Sequence, residues 1–295
     1  MKINKAVIPL GGLGTRLLPI TKSQPKEMLP IYDRPAIHYA VLEAKKSGIE
    51  NFLFITGRGK ESIENYFDYS FELEERLKKD KKFEYLEKVQ EIYNLGKFFY
   101  IRQKEPKGLG DAIYLSKDFV NTEPFVVILA DDIFIYNEPP IKKLIEIFYK
   151  YNGIILGIKK VPFDKVERYG IIKGEKIKNN LYKVSDLIEK PKREEAPSNF
   201  AIIGRYVLLP QIFDVLKNLK PGKNNEIQLT DAIKELIDKV PIFGYEIDDK
   251  HFDIGDKLDF ILANVYFASM DKEIKKELLN KIEDLIKKEK GVILK

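Results

Sequence analysis

A glycine-rich segment near the amino terminus carries residue types that suit phosphate binding. The segment Leu10-Gly11-Gly12-Leu13-Gly14-Thr15-Arg16 follows a short apolar run, and its glycines let main-chain N–H groups approach an anion unobstructed by a Cβ atom. It lacks the Gly-Lys-Ser/Thr ending of a P-loop and the spacing of the dinucleotide fingerprint. Arg16 ends the segment, and Lys22 and Lys26 follow soon after. We therefore expect this part of the chain to bind phosphate groups, although a glycine-rich turn alone is also typical of a connecting loop.

A proline-rich loop carries Lys26. Its sequence, PITKSQPKEMLP (19–30), contains three prolines, which favour an extended and stiff backbone. Such a loop orders a lysine at low entropy cost, and an ordered lysine suits contact with a phosphoryl group. Taken alone, Lys26 also fits an exposed residue of a linker. Its closeness to the glycine-rich segment favours the phosphate role.

Carboxylates follow a predicted buried strand and recur near the carboxyl terminus. Asp131 and Asp132 come directly after the apolar run FVVILA, and ligands of α/β proteins bind outside the carboxyl ends of strands. Adjacent carboxylates need a cation or a proton to coexist. Asp253 lies in the run HFDIGD, where the residues alone indicate a loop or a helix cap.

The composition excludes several kinds of chemistry. Cysteine is absent, which excludes thiol catalysis, disulfides and thiolate zinc sites. There are two histidines: His38 lies on the apolar face of a predicted helix, and His251 is close enough to Asp253 to leave a supporting role open. The net charge of +5 is spread over segments of mixed sign, so we expect no nucleic-acid partner. The longest charge-free stretch, residues 260–270, is too short for a membrane span of about 20 residues, and the amino terminus does not resemble a signal peptide. We expect a cytoplasmic protein.

Alternating strand and helix patterns must position these residues. The runs KAVIPL, NFLFIT, KFFYIR and FVVILA predict strands, and helical spacing appears at residues 35–46 and from residue 141. This alternation predicts an α/β fold with a Rossmann-like, mixed but mostly parallel sheet and helices on both faces. From residue 153 to 209, strands separated by the turn-like stretches KGEKIKNN and KPKREEAPSN predict an extension of the sheet and a small β-rich lobe. Asn225 and Gln228 resemble a capping box, and two helices end the chain.

Several motifs resemble the bacterial UTP–glucose-1-phosphate uridylyltransferases. They are GLGTRLLP, PKEMLP, FELEE, KGLGDAI, ILADDIF, EKP, APSN and NEIQLTDAI, and they extend from Lys5 to about Phe267. The first motif with a downstream Pro-Lys is shared by all sugar-phosphate nucleotidylyltransferases, whereas PKEMLP, FELE, APSN and EIQLTDAI are more specific to the uridylyl branch. The resemblance implies a single nucleotide-diphospho-sugar transferase domain over residues 1–295. Its approximate sub-regions are a nucleotide-binding half (1–152), a sugar-phosphate-binding half (153–255) and C-terminal helices (256–295).

The resemblance implies a reaction in which UTP and α-D-glucose 1-phosphate give UDP-glucose and pyrophosphate by in-line attack assisted by Mg²⁺. The attacking phosphate is already an anion at neutral pH, because the second pKa of a phosphate monoester is about 6. No general base is needed, which agrees with the scarcity of histidine and cysteine. A homodimer or homotetramer is also implied. Two alternatives stay open: an enzyme that uses dTTP, and a non-catalytic paralogue that binds nucleotide sugars and regulates a partner.

Residue roles follow from the matched motifs. The resemblance assigns Mg²⁺ to Asp131 and Asp253, and catalytic roles to Arg16, Lys26, Lys190 and Asp131. Sugar-phosphate contacts are assigned to Asp132, Gly170, Glu189 and Lys190. Nucleotide contacts are assigned to Leu10, Gly11, Gly12, Gly14, Thr15, Arg16, Lys26, Gln103, Gly108 and Asp131. The side-chain amide of Gln103 can donate and accept, as a pyrimidine edge requires, and Gly108 would let the base approach the backbone.

Overall fold

A nine-stranded sheet forms the centre of the protein in a computed structural model, which describes residues 2–293, with side chains described as far as residue 288. In chain order the strands of the protein are β1 (Lys5–Pro9), β2 (Pro30–Ile31), β3 (Arg34–Pro35), β4 (Asn51–Thr56), β5 (Lys97–Arg102), β6 (Phe125–Ile128), β7 (Asp132–Ile135), β8 (Ile154–Lys160), β9 (Gly170–Lys178), β10 (Leu181–Glu189), β11 (Phe200–Leu208), β12 (Ile242–Glu246) and β13 (Lys250–Asp253).

The large sheet is mixed but runs mostly in one direction. Its spatial order is β5-β4-β1-β6-β11-β8-β12-β10-β9. Strands β10 and β11 oppose the other seven, because both pair with their neighbours in antiparallel register while β5, β4, β1 and β6 are mutually parallel. This arrangement confirms the predicted fold class.

Helices cover both faces of the sheet. They are α1 (Ala36–Lys46), α2 (Glu61–Phe67), α3 (Phe71–Lys79), α4 (Phe83–Tyr93), α5 (Leu109–Tyr114), α6 (Lys117–Val120), α7 (Pro140–Tyr151), α8 (Ile212–Leu216), α9 (Leu229–Lys234), α10 (Lys257–Ala268) and α11 (Lys275–Ile293). No helix in the described range 2–293 is both long enough and apolar enough to cross a membrane.

The core lies in two layers that alternate along the central strands. Ala6 and Ile8 of β1 pack in the layer that contains α1 and α7, whereas Val7 packs in the layer that contains α5, α8 and α9. Successive side chains of a strand point to opposite faces, and both faces are covered here. This explains why the apolar run of β6 is continuous rather than alternating.

Two local predictions differ from the structure. Most of the stretch KGEKIKNN belongs to strand β9, which forms a hairpin with β10 at the edge of the sheet. Its lysines suggested a turn, but an edge strand that faces solvent accommodates such charges. The predicted capping box is also wrong: α9 begins at Leu229, and the amide of Gln228 donates to the main-chain oxygen of Lys223 at 3.1 Å.

A two-stranded sheet joins distant parts of the chain. Strand β7 pairs with β13 in antiparallel register, which places Asp132 opposite Asp253. Strand β6 ends at Ile128, and residues 129–131 turn into β7. The carboxylates predicted at the end of FVVILA therefore lie in and after this turn, beside the carboxylate predicted from the run HFDIGD.

Candidate active site

The glycine-rich segment forms the turn that follows β1. Leu10 is fully buried, and its N–H donates to the main-chain oxygen of Ile55 at 2.8 Å. Gly14 has a φ of +65°, a conformation that favours glycine, and the hydroxyl of Thr21 donates to its oxygen at 2.9 Å. Among the predicted residues of this segment, Leu10 anchors the turn in the core, residues 11, 12, 14 and 15 line one cavity, and Arg16 lines a second.

Lys26 and Asp131 form an ion pair inside the site. The Lys26 ammonium group donates to Oδ2 of Asp131, and both side chains are mostly buried. Burial favours the neutral forms of both groups, but the opposite charge outweighs it. The pKa of Lys26 is raised by the Asp131 carboxylate, and the pKa of Asp131 is lowered by the Lys26 ammonium group. Both groups are therefore charged at neutral pH.

Asp253 and Arg16 form a second, looser pair at 3.3 Å between Nη1 and Oδ2. Burial raises the pKa of Asp253, and the nearby carboxylates of Asp132 and Asp131 raise it further. The main-chain N–H of Gly255 donates to Asp253 Oδ1 at 2.9 Å and fixes its orientation. Three carboxylates thus share a region in which Lys26 and Arg16 supply the positive charge.

His251 supports Asp132. Its Nε2 lies 2.6 Å from Asp132 Oδ1, and its ring stacks on Phe134 with centroids 4.8 Å apart. The sequence left open a supporting role for His251 at Asp253, and the structure places its contact one strand away. His38 is buried, as its apolar helix face predicted.

Arg205 and Glu43 form a buried ion pair behind the carboxylate turn. Nη2 of Arg205 lies 2.8 Å from Oε2 of Glu43 and 2.7 Å from the main-chain oxygen of Asp132. Nη1 donates to the oxygen of Leu129 at 3.0 Å. Sequence reasoning missed this pair. The signal was an arginine within the apolar run FAIIGRYVLL, since a charge in a buried strand requires a partner.

The base of the β9–β10 hairpin holds three of the four residues predicted to contact the sugar phosphate, and the fourth, Asp132, lies on β7. Gly170 lies opposite Glu189 in the register. Glu189 Oε2 accepts a hydrogen bond of 2.7 Å from the Thr230 hydroxyl, and its Oε1 lies 3.1 Å from Lys190 Nζ. A Cβ atom at Gly170 would lie 2.7 Å from Thr230 Oγ1, so the close approach requires glycine. The sequence did not single out Thr230, because its contact depends on the packing of α9.

Gln103 lies directly after β5 and is buried. Its Nε2 donates to Asp111 Oδ2 at 2.7 Å and lies 3.4 Å from the main-chain oxygen of Gly108. Gly108 precedes α5 with a φ of +108°, which only glycine adopts readily. The predicted base contacts, Gln103 and Gly108, therefore stand side by side.

Two adjoining cavities collect nearly all of the predicted residues. A cavity of about 510 Å³ is lined by Gly11, Gly12, Gly14, Thr15, Lys26, Gln103 and Gly108, and one of about 440 Å³ by Arg16, Asp132, Gly170, Glu189 and Asp253. Asp131 and Lys190 line both. A larger cavity of about 640 Å³, lined by Phe148, Pro210 and Phe213 among others, contains none of the predicted residues.

The carboxylates suit a divalent cation that also binds substrate. Within the described part of the chain, no group of three or more His, Cys, Asp or Glu residues is arranged to hold a metal ion. Magnesium needs less, because it commonly takes one or two carboxylates together with substrate phosphates and water. Asp131 and Asp253 can supply that number, and the crowding of negative charge around Asp253 favours a bound cation. These residues fit the metal that the resemblance implied.

Comparison with known proteins identifies the family. A family model described as nucleotidyl transferase matches residues 5–269. The chain belongs to the nucleotidyl transferase family. Enzymes of this family generally use a divalent metal. The family assignment confirms the resemblance seen in the glycine-rich and Pro-Lys motifs.

Individual relatives cover the chain almost completely. It is 48% identical over 294 residues to UTP–glucose-1-phosphate uridylyltransferase YngB of Bacillus subtilis, covering 100% of this chain and 99% of the relative. A solved UDP-glucose pyrophosphorylase in complex with UDP-glucose is 42% identical, with a TM-score of 0.83, and the match covers 92% of this chain and 100% of that one. A UTP-bound enzyme of the same kind from Acinetobacter baumannii is 36% identical, with a TM-score of 0.88 and coverage of 96% and 100%.

Proposed function

We propose that this protein transfers the uridylyl group of UTP to α-D-glucose 1-phosphate, giving UDP-glucose and pyrophosphate. The observation that carries the proposal is the pair of adjoining cavities that meet at Asp131 and Lys190. One cavity offers a glycine-rich turn and a buried amide, as a nucleoside triphosphate requires. The other offers carboxylate and hydroxyl groups that suit sugar hydroxyls. Close relatives are named for the same reaction.

In the proposal, one half of the chain binds the nucleotide and the other half binds the sugar phosphate. Residues 1–152 supply most of the nucleotide cavity, and residues 153–255 supply most of the sugar-phosphate cavity. Glu189 accepts hydrogen bonds from sugar hydroxyls, and its orientation is fixed by Thr230. Lys190, which has a φ of +46°, holds the sugar phosphate where the two cavities meet. Residues at the base of the β9–β10 hairpin thereby align the sugar phosphate, whose oxygen is the nucleophile.

Catalysis then rests on alignment and charge neutralisation. An oxygen of the sugar phosphate attacks the α-phosphorus of UTP in line while the bond to pyrophosphate breaks, and no proton has to be removed. Lys26 stabilises negative charge on the transferred phosphoryl group. Arg16 and the N–H groups of residues 11–15 hold the triphosphate and the departing pyrophosphate. In the structure both cations are paired with carboxylates. When substrate binds, each cation exchanges its carboxylate partner for a phosphate group.

The proposed metal is Mg²⁺, held by Asp131 and Asp253. When bound, it neutralises charge on the phosphate oxygens and helps to fix their orientation. The protein's own contribution is to hold the two carboxylates in place: the pairing of β7 with β13 brings the segments together, and Gly255 orients Asp253.

A homodimer or homotetramer is part of the proposal. Helix α10 exposes Leu258, Ile261 and Leu262, which form an apolar surface that a second copy of the chain can cover. Light scattering of the purified protein tests this point: a monomer at micromolar concentration would reject it.

One assay tests the function. Pyrophosphate release is measured with UTP, dTTP, CTP, ATP and GTP, each with glucose 1-phosphate and Mg²⁺. We expect the highest kcat/KM with UTP and loss of activity when a chelator removes the metal. The highest kcat/KM with dTTP would favour the thymidylyl alternative, and no release with any nucleotide would favour the regulatory one. The combined presence of Arg16, Lys26, Asp131, Glu189, Lys190 and Asp253 supports a catalytic protein.

A further inference from the structure

The orientation of the Gln103 side-chain amide is fixed by its neighbours. Its Nε2 lies 2.7 Å from a carboxylate oxygen of Asp111 and 3.4 Å from the main-chain oxygen of Gly108. Both neighbours can only accept hydrogen bonds, since Asp111 is a carboxylate and Gly108 contributes a carbonyl. The nitrogen must therefore face them, because the reversed amide would bring three oxygens together.

The carbonyl oxygen of Gln103 points the other way, towards the glycine-rich turn. A Cβ atom at Gly11 would lie 2.5 Å from Gln103 Oε1, which locates this oxygen against the main chain of residue 11. No donor in the part of the chain that the structure describes reaches Oε1. Gln103 lines the 510 Å³ cavity assigned to the nucleotide. The polar atom that Gln103 offers to a ligand there is an acceptor.

An acceptor in a fixed orientation discriminates between pyrimidines. Uracil and thymine carry an N–H group at ring position 3, which can donate to Oε1. Cytosine carries an unprotonated nitrogen at that position, and two acceptors facing each other repel. A buried polar mismatch of this kind discriminates strongly, because the groups that lose their partner are cut off from water.

We propose that Asp111 determines nucleotide specificity by fixing the Gln103 amide with its oxygen towards the base, so that pyrimidines with an N–H at position 3 are selected over cytosine. The proposal rests on the proposed function for the location of the base. It assigns Asp111 a positioning role, since its carboxylate acts through Gln103. It does not separate UTP from dTTP, which share this N–H group.

A purely structural role for Asp111 makes a different prediction. Asp111 lies in the first turn of α5, where a negative charge favours the helix amino terminus. If this were its whole contribution, its replacement would lower activity towards UTP and CTP by the same factor. The ratio of the two kcat/KM values therefore separates the two roles.

The first test compares Asp111→Asn with the wild type and with Asp118→Asn, an exposed aspartate on the next helix that provides the same change of charge. An asparagine can donate to Oε1 or accept from Nε2, so both orientations of the Gln103 amide become available. We expect the UTP-to-CTP ratio of kcat/KM to fall at least tenfold in Asp111→Asn and to stay unchanged in Asp118→Asn. An unchanged ratio in Asp111→Asn overturns the proposal.

A second variant exchanges the amide group of residue 103 with the carboxylate group of residue 111. In Gln103→Glu/Asp111→Asn the total charge is unchanged, and the amide of residue 111 can donate to one oxygen of residue 103 while the other oxygen faces the base. We expect this variant to recover discrimination against CTP, and failure to recover it in a folded protein overturns the proposal. A wild type that turns over UTP and CTP equally would also overturn it, while leaving the uridylyl transfer itself intact. A wild type inactive with UTP would instead refute the proposed function.

Discussion

The guanidinium group of Arg205 donates a hydrogen bond of 2.7 Å to the main-chain oxygen of Asp132. The same group donates to the oxygen of Leu129 at 3.0 Å, so it holds both ends of the turn that carries Asp131. Glu43, on α1, pairs with it at 2.8 Å and also accepts a hydrogen bond from the N–H of Ile141. A buried ion pair thus fixes the position of a proposed metal ligand that it does not contact.

The Arg205–Glu43 pair predicts a separation of stability from activity. Arg205→Met leaves the Glu43 carboxylate buried without its partner, and we expect a loss of about 3–5 kcal/mol in the free energy of unfolding. The double variant Arg205→Met/Glu43→Leu should recover most of this loss, because no unpaired charge remains. Both variants should have a lower kcat than the wild type, because the main-chain oxygens of Leu129 and Asp132 no longer accept hydrogen bonds from Arg205. Denaturant unfolding and steady-state kinetics measure the two effects, and a double variant with normal kcat would contradict the positioning role.

Lys26 is expected to act on the chemical step. Lys26→Ala should lower kcat at least roughly tenfold, which corresponds to about 1.4 kcal/mol of barrier, while the protein stays folded. The loss follows from the missing positive charge beside the transferred phosphoryl group. Lys117→Ala, which removes an exposed lysine from α6, serves as the control and should leave kcat unchanged. Near-normal turnover of Lys26→Ala would eliminate its proposed role.

Asp131 is expected to govern the dependence on metal. Asp131→Asn removes one of the two carboxylates proposed to hold Mg²⁺, so activity should fall and the Mg²⁺ concentration needed for half-maximal activity should rise. Asp214→Asn provides the control, because Asp214 is exposed and lines the 640 Å³ cavity, which contains none of the predicted site residues. Titration of activity with Mg²⁺ measures the change. An identical titration curve for Asp131→Asn would remove this residue from the site.

Gly204 is expected to be irreplaceable for reasons of space. It has a φ of +60°, and a Cβ atom there would lie 2.2 Å from Asp132 Oδ2. Gly204→Ala should therefore cost at least about 3 kcal/mol in stability and displace the Asp132 carboxylate, lowering activity as well. Gly48 has a φ of +92° and open space around it, so Gly48→Ala carries the backbone strain alone. The control should lose about 1–2 kcal/mol and keep its activity. Equal effects of the two substitutions would show that the clash is unimportant.

His38 predicts a loss of stability in mild acid. Burial, and then the charge of Arg34, lower the pKa of His38 from 6.5 to about 4. Arg34 can only donate to Nε2, so the ring is neutral, with its proton on Nδ1 facing Tyr66. Between pH 6.5 and 4 the unfolded chain binds a proton that the folded protein does not, so stability rises with pH through this window and is lost as the pH falls.

The size of this effect is on the order of 3 kcal/mol between pH 6.5 and pH 4. The variant His38→Gln cannot titrate in this range, so the pH dependence of its free energy of unfolding should be flatter than that of the wild type by this amount. Parallel curves for the two proteins would show that His38 does not contribute. The comparison of the two curves cancels the carboxylates that titrate in the same range in both proteins.

Local features of the sequence predicted much of the fold and of the proposed site. The continuous apolar run at residues 125–130 indicated a strand covered on both faces, and the turn after β1 was evident from three glycines. These signals are local, because they depend on periodicity and on the backbone freedom of glycine. The prediction of a turn at the stretch KGEKIKNN is wrong for the same reason. Its lysines indicate exposure to solvent, but they do not indicate that the stretch pairs with a neighbouring strand.

Contacts between residues that are far apart in the chain could not be predicted from local sequence patterns. Glu43 and Arg205 are far apart in the chain, and only the packing of α1 against the sheet brings them together. The register that places Asp132 opposite Asp253 depends on strand pairing, which no single segment specifies. Thr230 contacts Glu189 only because α9 packs beside β10. The sequence therefore pointed to the residues that line the proposed site more readily than to the residues that hold those side chains in place.

The two ends of the β9–β10 hairpin differ in function: its base carries proposed ligand contacts, and its tip is exposed to solvent. Gly170 and Glu189 pair at its base, whereas Asn179 lies at the exposed tip, about 30 Å away along strands that rise roughly 3.3 Å per residue. A lengthened turn or a fluorescent dye at Asn179 would leave the contacts at the base unchanged, although the paired strands β9 and β10 connect the two places. The tip is therefore a natural attachment point for a label or a surface linker that must leave substrate binding undisturbed, and a place where added chain length should not reduce activity.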